Sequence, residues 1–363
     1  MMRTLLMAGL LVVAAAAASP AAAQAQSYAT YVTNSIDGYI RPRTEAFAAA
    51  TTKLPAAVEQ LCKAPGEDTR AAFADSYRDV LTSFAAVSFL RFGPVIDDNR
   101  LDALAFMPDP RGIAQRQIRR AFAKRDETLT QAETLKDKSV ALQGLTALQL
   151  IAFSKDAKVV LGNPGEGSDF LCGYAGAIAA NVERIAADIA SDWADANGYA
   201  ATLQTPDPDS HQVRTSKDAI EAIFNAVVTG LIVVKDQDLL PALGDKREEA
   251  RPHRLPFSRS GDATAYMQAE LDGIEAAFTA AGFTPDLPKE FSWVPGSLAF
   301  EFSNARNILS AADTPLRHSM EDPETYQKLE LLIITIDSVR DTAALSLAGA
   351  MELSGGFNAL DGD

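Results

Sequence analysis

Phe73, Tyr77, Val80, Phe84, Val87 and Leu90 recur at spacings of three and four across residues 69–92, the period of an amphipathic helix with one buried stripe. The period returns in Ile178, Val182, Ile185 and Ile189 across 170–193, and again in four later stretches, 213–235, 262–281, 293–312 and 324–353. Residues 28–62 add one or two more helices, with Pro42 and Pro55 at first-turn or kink positions. The strict alternation of half-buried strands is scarce, and 47% of the chain is hydrophobic, so an all-α globular protein is expected rather than a disordered one.

The punctuation of these helices divides the chain. Thr205-Pro206-Asp207-Pro208-Asp209-Ser210 cannot readily continue a helix, and it separates a predicted N-terminal helical bundle, 26–204, from a C-terminal one, 213–363, with 205–212 as linker. Residues 240–260, rich in Pro, Arg and Glu, read as a connecting loop. Residues 1–25 have a basic start at Arg3, an apolar run and small residues before Ala23 and Ala25, the plan of a secretory signal peptide. Its apolar run is too short for a membrane span, and no cysteine follows to accept a lipid, so a periplasmic destination is expected. The net charge is −15, or −16 once Arg3 is removed with the signal. An acidic chain of this kind disfavours nucleic acid and is compatible with cations or cationic partners. After the signal, the most apolar segment, 329–350, contains Asp337, Arg340 and Asp341, so no transmembrane segment is expected.

Within the N-terminal half, residues 140–153 read as a single helix buried on most sides, interrupted by Gln143, Gly144, Thr146 and Gln149. Thr146 and Gln149 stand three apart and share a face, and Gly144 lets a ligand or a second backbone come close. A buried hydroxyl and amide need partners. Neighbouring helices or a ligand could supply them, and periodicity does not choose. Cys62 and Cys172 are the only cysteines, and a disulfide and two buried thiols are both open.

Motifs of known chemistry are scarce. The chain has no Gly-x-Ser-x-Gly elbow, phosphate loop or dinucleotide fingerprint. His211, His253 and His318 are not paired with one another at helical spacing, and His318-Ser319-Met320-Glu321 runs straight into Asp322-Pro323, a helix end. Asp97, Asp98 and Asp102 form an acidic turn flanked by Arg91, Arg111, Arg116 and Arg119, readable as a hard-cation site or as a solvated turn.

Four segments together resemble the imelysin family: Leu54-x-x-Ala57-Val58-x-x-Leu61-Cys62-x-x-Pro65, Phe92-Gly93-Pro94 after a helix, the run from Gln143 through Leu148, and the closing Gly356-Phe357-Asn358-Ala359-Leu360-Asp361-Gly362-Asp363. The resemblance spans nearly all of the mature chain. It implies two helical, four-helix-bundle-like domains related by an internal pseudo-repeat and facing one another across a cleft. It also implies a secreted or periplasmic protein linked to iron acquisition. Members were classed as metallopeptidases on a Gly-x-His-x-x-Glu motif, which falls here on Gly144-Leu145-Thr146-Ala147-Leu148-Gln149. A neutral hydroxyl and amide are poor metal ligands, and an amide cannot serve as general base, so peptide hydrolysis at this motif is not expected.

The resulting expectation is a non-catalytic periplasmic binding protein. Gly144, Thr146 and Gln149 would line its cleft, with Arg91, Asp97, Asp98 and Arg111 as further lining residues. No cofactor is assigned. Iron or an iron-containing ligand is what the resemblance implies, and the expected partners are a small ligand or metal ion and envelope or outer-membrane iron-uptake proteins. The alternative is an imelysin-type metallopeptidase drawing ligands from outside the motif, such as His318 or the acidic turn. A structural envelope protein would instead fill its cleft with apolar side chains.

Overall fold

A computed structural model describes residues 20–312 and 314–354, and these contain helices and loops but no strand. Residues 1–19 of the expected signal peptide and the closing octapeptide lie outside the described residues. In chain order the helices are α1 Pro20–Ser35, α2 Arg41–Thr51, α3 Leu54–Lys63, α4 Glu67–Ser88, α5 Arg100–Leu104, α6 Ile113–Lys124, α7 Ala132–Leu135, α8 Gly144–Ala152, α9 Ser168–Ala194 and α10 Tyr199–Gln204. After residues 205–215, which hold no helix, follow α11 Ser216–Ile232, α12 Leu240–Leu243, α13 Ala263–Ala281, α14 Val294–Ser310, α15 Leu316–Ser319, α16 Pro323–Asp341 and α17 Ala348–Ala350.

Local chemistry places many of these starts. Pro42 and Pro55 sit in the first turns of α2 and α3, where a missing N–H costs nothing. Thr215 and Asp218 form a reciprocal capping box on α11, and the Asp322 carboxylate accepts from the Glu324 and Thr325 N–H groups at the head of α16. The stripe read across 69–92 is the buried side of α4, but that helix stops at Ser88. Residues 89–92 turn tightly before Phe92 becomes extended.

Packing joins the two halves closely. Helix α4 lies against α2 and α3 on one side and α13 on the other, α9 lies against α2, α3 and α8, and α14 pairs with α16. Helix α1 runs against α11 and α13, so the start of the described chain packs on the second half. One buried apolar cluster extends from Tyr28 to Leu353. The open question over the cysteines resolves as a disulfide: Cys62 at the end of α3 is bonded to Cys172 in α9, with Cα atoms 5.9 Å apart. No helix among the described residues is long and apolar enough to cross a membrane.

The single helix expected over 140–153 is not continuous. Residues 140–142 form a separate 3-10 turn, Gln143 is extended, and α8 begins at Gly144, whose φ is +70°. At the break the Gln143 side chain bonds to other segments. Its amide donates to the carbonyls of Lys136 and Lys138 at 3.2 and 2.7 Å, and its Oε1 accepts from Asn181 of α9 at 2.8 Å.

Candidate binding cleft

Helix α8 is held from three sides. The Tyr77 hydroxyl of α4 donates to the Leu145 carbonyl at 2.9 Å, that of Tyr174 in α9 donates to Leu142 at 2.6 Å, and Arg259, from the loop before α13, donates to Phe153 at 2.7 Å. Leu145, Ala147, Leu148 and Ala152 are turned into the core. The opposite side, carrying Thr146, Gln149 and Leu150, faces a cavity of about 410 Å³.

This cavity lies between the two halves. The loop from Phe106 to Gly112 and Gln115 of α6 complete its N-terminal wall, and Gln237, Asp238, Pro241 and residues 253–257 form the opposite one. Thr146 and Gln149 are 7% and 8% exposed, and Thr146 Oγ1 and Gln149 Oε1 have no hydrogen-bond partner. Buried polar groups are nearly always paired, so two orphans on neighbouring turns of one helix are a departure from ordinary packing. The volume falls in the range of small-molecule sites.

A second polar group lies at the floor of the cavity. Asp238 sits in a π-helical turn, Val233–Leu239, that prolongs α11; such turns recur at functional sites. It is 6% exposed, and Glu270 of α13, 2% exposed, lies beside it. Around them Ser88 donates to Glu270 at 3.3 Å, Tyr266 donates to Ser88 at 3.4 Å, and Arg91 donates from Nη2 to Gln237 at 3.3 Å. Asp238 Oδ2 and Glu270 Oε2 are otherwise unpartnered, and a proton shared between the two carboxyls satisfies both. Burial, then the neighbouring Asp238 charge, pushes Glu270 well above the usual carboxylate range, so Glu270 holds the proton. Burial pushes Asp238 up to about 7, opposed by the hydrogen bond from Glu270 and by the Arg91 charge.

A pH dependence follows from these raised values. The folded chain keeps protons that the unfolded chain releases above about pH 4. The pair therefore costs nothing below that pH, and stability falls as pH rises towards 7. In Glu270→Gln the amide donates to Asp238 without a second charge. Its loss of stability between pH 5 and pH 8 should be smaller than wild type's by on the order of 2 kcal/mol. Urea unfolding at the two pH values measures this, and parallel losses in both proteins would refute the shared proton.

The other residues singled out in the sequence scatter. Arg111 is exposed on the rim of the cavity. Arg91 lies deeper, in the small hollow of about 30 Å³ beside Ser88, Asp238 and Glu270, with its Nε buried and unpartnered. Asp97 and Asp98 are exposed and do not line the cavity; Asp98 borders a different hollow, with Lys136, Arg184 and Asp188. Gly144 opens on no cavity either. A Cβ there would stand 2.2 Å from the carbonyl oxygens of both Ala103 and Leu104, so the close approach it permits is that of a second backbone. Asp109 borders the cavity, but its two carboxylate oxygens accept from the N–H groups of Ile113 and Ala114 at 2.8 and 2.9 Å, capping α6. Asp238 and Glu270 escaped the sequence reading. Glu270 left a signal there: an acid four residues after Tyr266 and four before Ile274, on the apolar stripe of α13.

The imelysin family model matches residues 38–343. Two crystal structures share the fold. An imelysin-like protein from Psychrobacter arcticum is 17% identical, with a TM-score of 0.74 over 92% of this chain and 98% of that one. A protein from Parabacteroides distasonis described as a putative iron-regulated protein A precursor is 13% identical, with a TM-score of 0.63 over 91% and 97%. No curated protein matches the sequence.

Proposed function

The chain belongs to the imelysin family, and on that premise we propose that it is a non-catalytic periplasmic binding protein whose cleft between the two halves takes a small ligand in iron acquisition. One observation carries this: Thr146 and Gln149, at the positions of the family's histidine and glutamate, line a cavity of about 410 Å³ and carry buried polar atoms without a hydrogen-bond partner. The iron link is supported by the description of the Parabacteroides distasonis protein. Export is supported by the character of residues 1–25 and by the disulfide, which suits an oxidising compartment.

The donor set does not fit a catalytic metal. Zinc hydrolases hold their ion with three His or carboxylate ligands and leave one position open. Among the described residues no group of three His, Cys, Asp or Glu is placed to do so, and His318 is exposed and does not line the cavity. Thr146 and Gln149 offer neither a charged ligand nor a base.

Equilibrium dialysis of the purified chain against iron, supplied both as a ferrous salt and pre-chelated, tests the reading. Wild type should retain iron in at least one form. Thr146→Val with Gln149→Leu, which keeps the shape and removes the hydrogen-bonding atoms, should weaken retention about tenfold or more. Retention unchanged in the double variant would place the site elsewhere.

A further inference from the structure

The walls of the cleft differ in charge from the rest of the molecule. The protein carries a net charge of −15, yet Arg111 on one side of the cavity and His253 and Arg254 on the other are cationic or can become so. Neither arginine has a carboxylate within ion-pairing distance among the described residues. Behind them Arg251, Arg259 and Arg317 add further positive charge. Arg259 donates to the Phe153 carbonyl and Arg317 to Ser258, so both are held by neutral groups, and neither they nor Arg251 forms an ion pair among the described residues. Burial and the three arginines 317, 254 and 251 all favour neutral His253, a measure of how positive this wall is. In a chain with 48 carboxylates, none forms an ion pair with these five arginines among the described residues, although Asp156 lies near enough to Arg317 to act on its charge. Such a field attracts anions and repels bare cations.

The acids at the cavity do not reverse that sign. Asp109 is engaged in capping α6, and Asp238 shares a proton with Glu270. Burial favours the uncharged form of Asp238. The groups facing it, Arg91, Gln237, Glu270 and the nearby Ser88, Tyr266 and Asp102, leave its side of the floor polar rather than strongly negative. Across from it, Thr146 Oγ1 is a hydroxyl free to donate to an anionic oxygen, and Gln149 Oε1 is an acceptor that needs a donor from the ligand. Guanidinium groups for carboxylates, a hydroxyl donor and one unfilled amide acceptor describe a molecule carrying both carboxylates and a hydroxyl.

Building on the binding reading above, we infer that the cleft recognises an anionic hydroxycarboxylate, free or chelating a metal ion, and not a bare metal cation. The carboxylates lie towards Arg111 and Arg254, and the hydroxyl donates to Gln149. In this arrangement any iron enters as cargo inside a chelate and needs no protein ligand.

Isothermal titration of the full mature chain at pH 6 tests this with defined probes: citrate, tricarballylate (the same acid without its hydroxyl), preformed ferric citrate, ferrous sulfate and spermidine. Citrate, ferric citrate or both should bind, and which of them binds distinguishes the free acid from the chelate. Tricarballylate should bind about tenfold more weakly. Arg254→Gln and Arg111→Gln, at side chains that are not buried, should each weaken citrate or chelate binding about tenfold, and raising the salt concentration should weaken it in wild type. Equal affinity for the two acids, or binding indifferent to both arginines, overturns the inference. Ferrous ion or spermidine binding in place of the acids, and abolished by Thr146→Val with Gln149→Leu, overturns it while leaving the cleft as the binding site. No binding by any probe, together with no iron retained in dialysis, defeats both readings.

Discussion

Gly144→Ala should lower the folding stability of this protein by about 2–5 kcal/mol, with a fall in melting temperature on the order of 5–10 °C. Two costs add. The backbone at residue 144 has φ +70°, a region an L side chain enters at roughly 1–2 kcal/mol. The new Cβ would also meet the carbonyl oxygens of Ala103 and Leu104 at 2.2 Å. Those oxygens belong to the end of α5 and the start of the loop that walls the cleft, so relief must come from moving backbone, and overpacking of that kind adds about 1–3 kcal/mol. The damage should reach the cleft as well, since residues 106–112 follow directly on the displaced carbonyls. Gly165 provides the control. Its φ is not positive and a Cβ there would meet nothing within 4 Å, so Gly165→Ala should change stability by less than about 1 kcal/mol. Chemical denaturation of the two variants beside wild type decides the matter. A Gly144→Ala protein as stable as the control would mean that α8 does not begin against residues 103 and 104.

Loss of the Cys62–Cys172 bridge is expected to cost about as much. The bond closes a loop with a sequence separation of 110 and ties the end of α3 to α9. On the chain-entropy account, opening a loop of that length frees the unfolded chain by about 4–5 kcal/mol. The double variant Cys62→Ser with Cys172→Ser removes the bond without leaving a lone thiol. It should unfold at a markedly lower urea concentration than oxidised wild type and at nearly the same concentration as wild type treated with reductant. Agreement between the variant and the reduced protein separates the cross-link from any local effect of serine. If reductant left the wild-type midpoint unmoved, the bridge would contribute nothing to stability.

Both predictions turn on residues already visible in the sequence, whose consequences were not. Gly144 stood out as a gap in an apolar run, and two occupants were open, a ligand or a second backbone. The structure fills the gap with residues 103 and 104, and the cleft opens instead along Thr146, Gln149 and Leu150, one face further round the same helix. The acidic turn shows the same limit. Asp97 and Asp98 lie close in sequence to the loop that does wall the cavity, yet they face other surroundings, because the chain reverses between Asp98 and Arg100, with Asp98 and Asn99 both at positive φ. Nearness along a chain says little about direction once a turn intervenes.

What the residues determine by themselves is the class of fold and the rough extent of its helices. A period of three and four identifies a helix and its buried stripe from local sterics and burial alone, and Pro42 and Pro55 mark first turns through their own fixed geometry. The degenerate Thr146 and Gln149 pair and the family resemblance were legible for the same reason, as properties of short stretches. Tertiary structure alone decided what each stripe is buried against. It brought Asp238 to the lining of a cleft whose far wall is α8, 86 or more positions earlier in the chain, and set Glu270 of another helix beside it. It also joined Cys62 to Cys172 and gathered unpaired arginines on one wall. Periodicity records that a face is covered but not by which partner, since that depends on how the loops return the chain and on which of many apolar faces pack most closely.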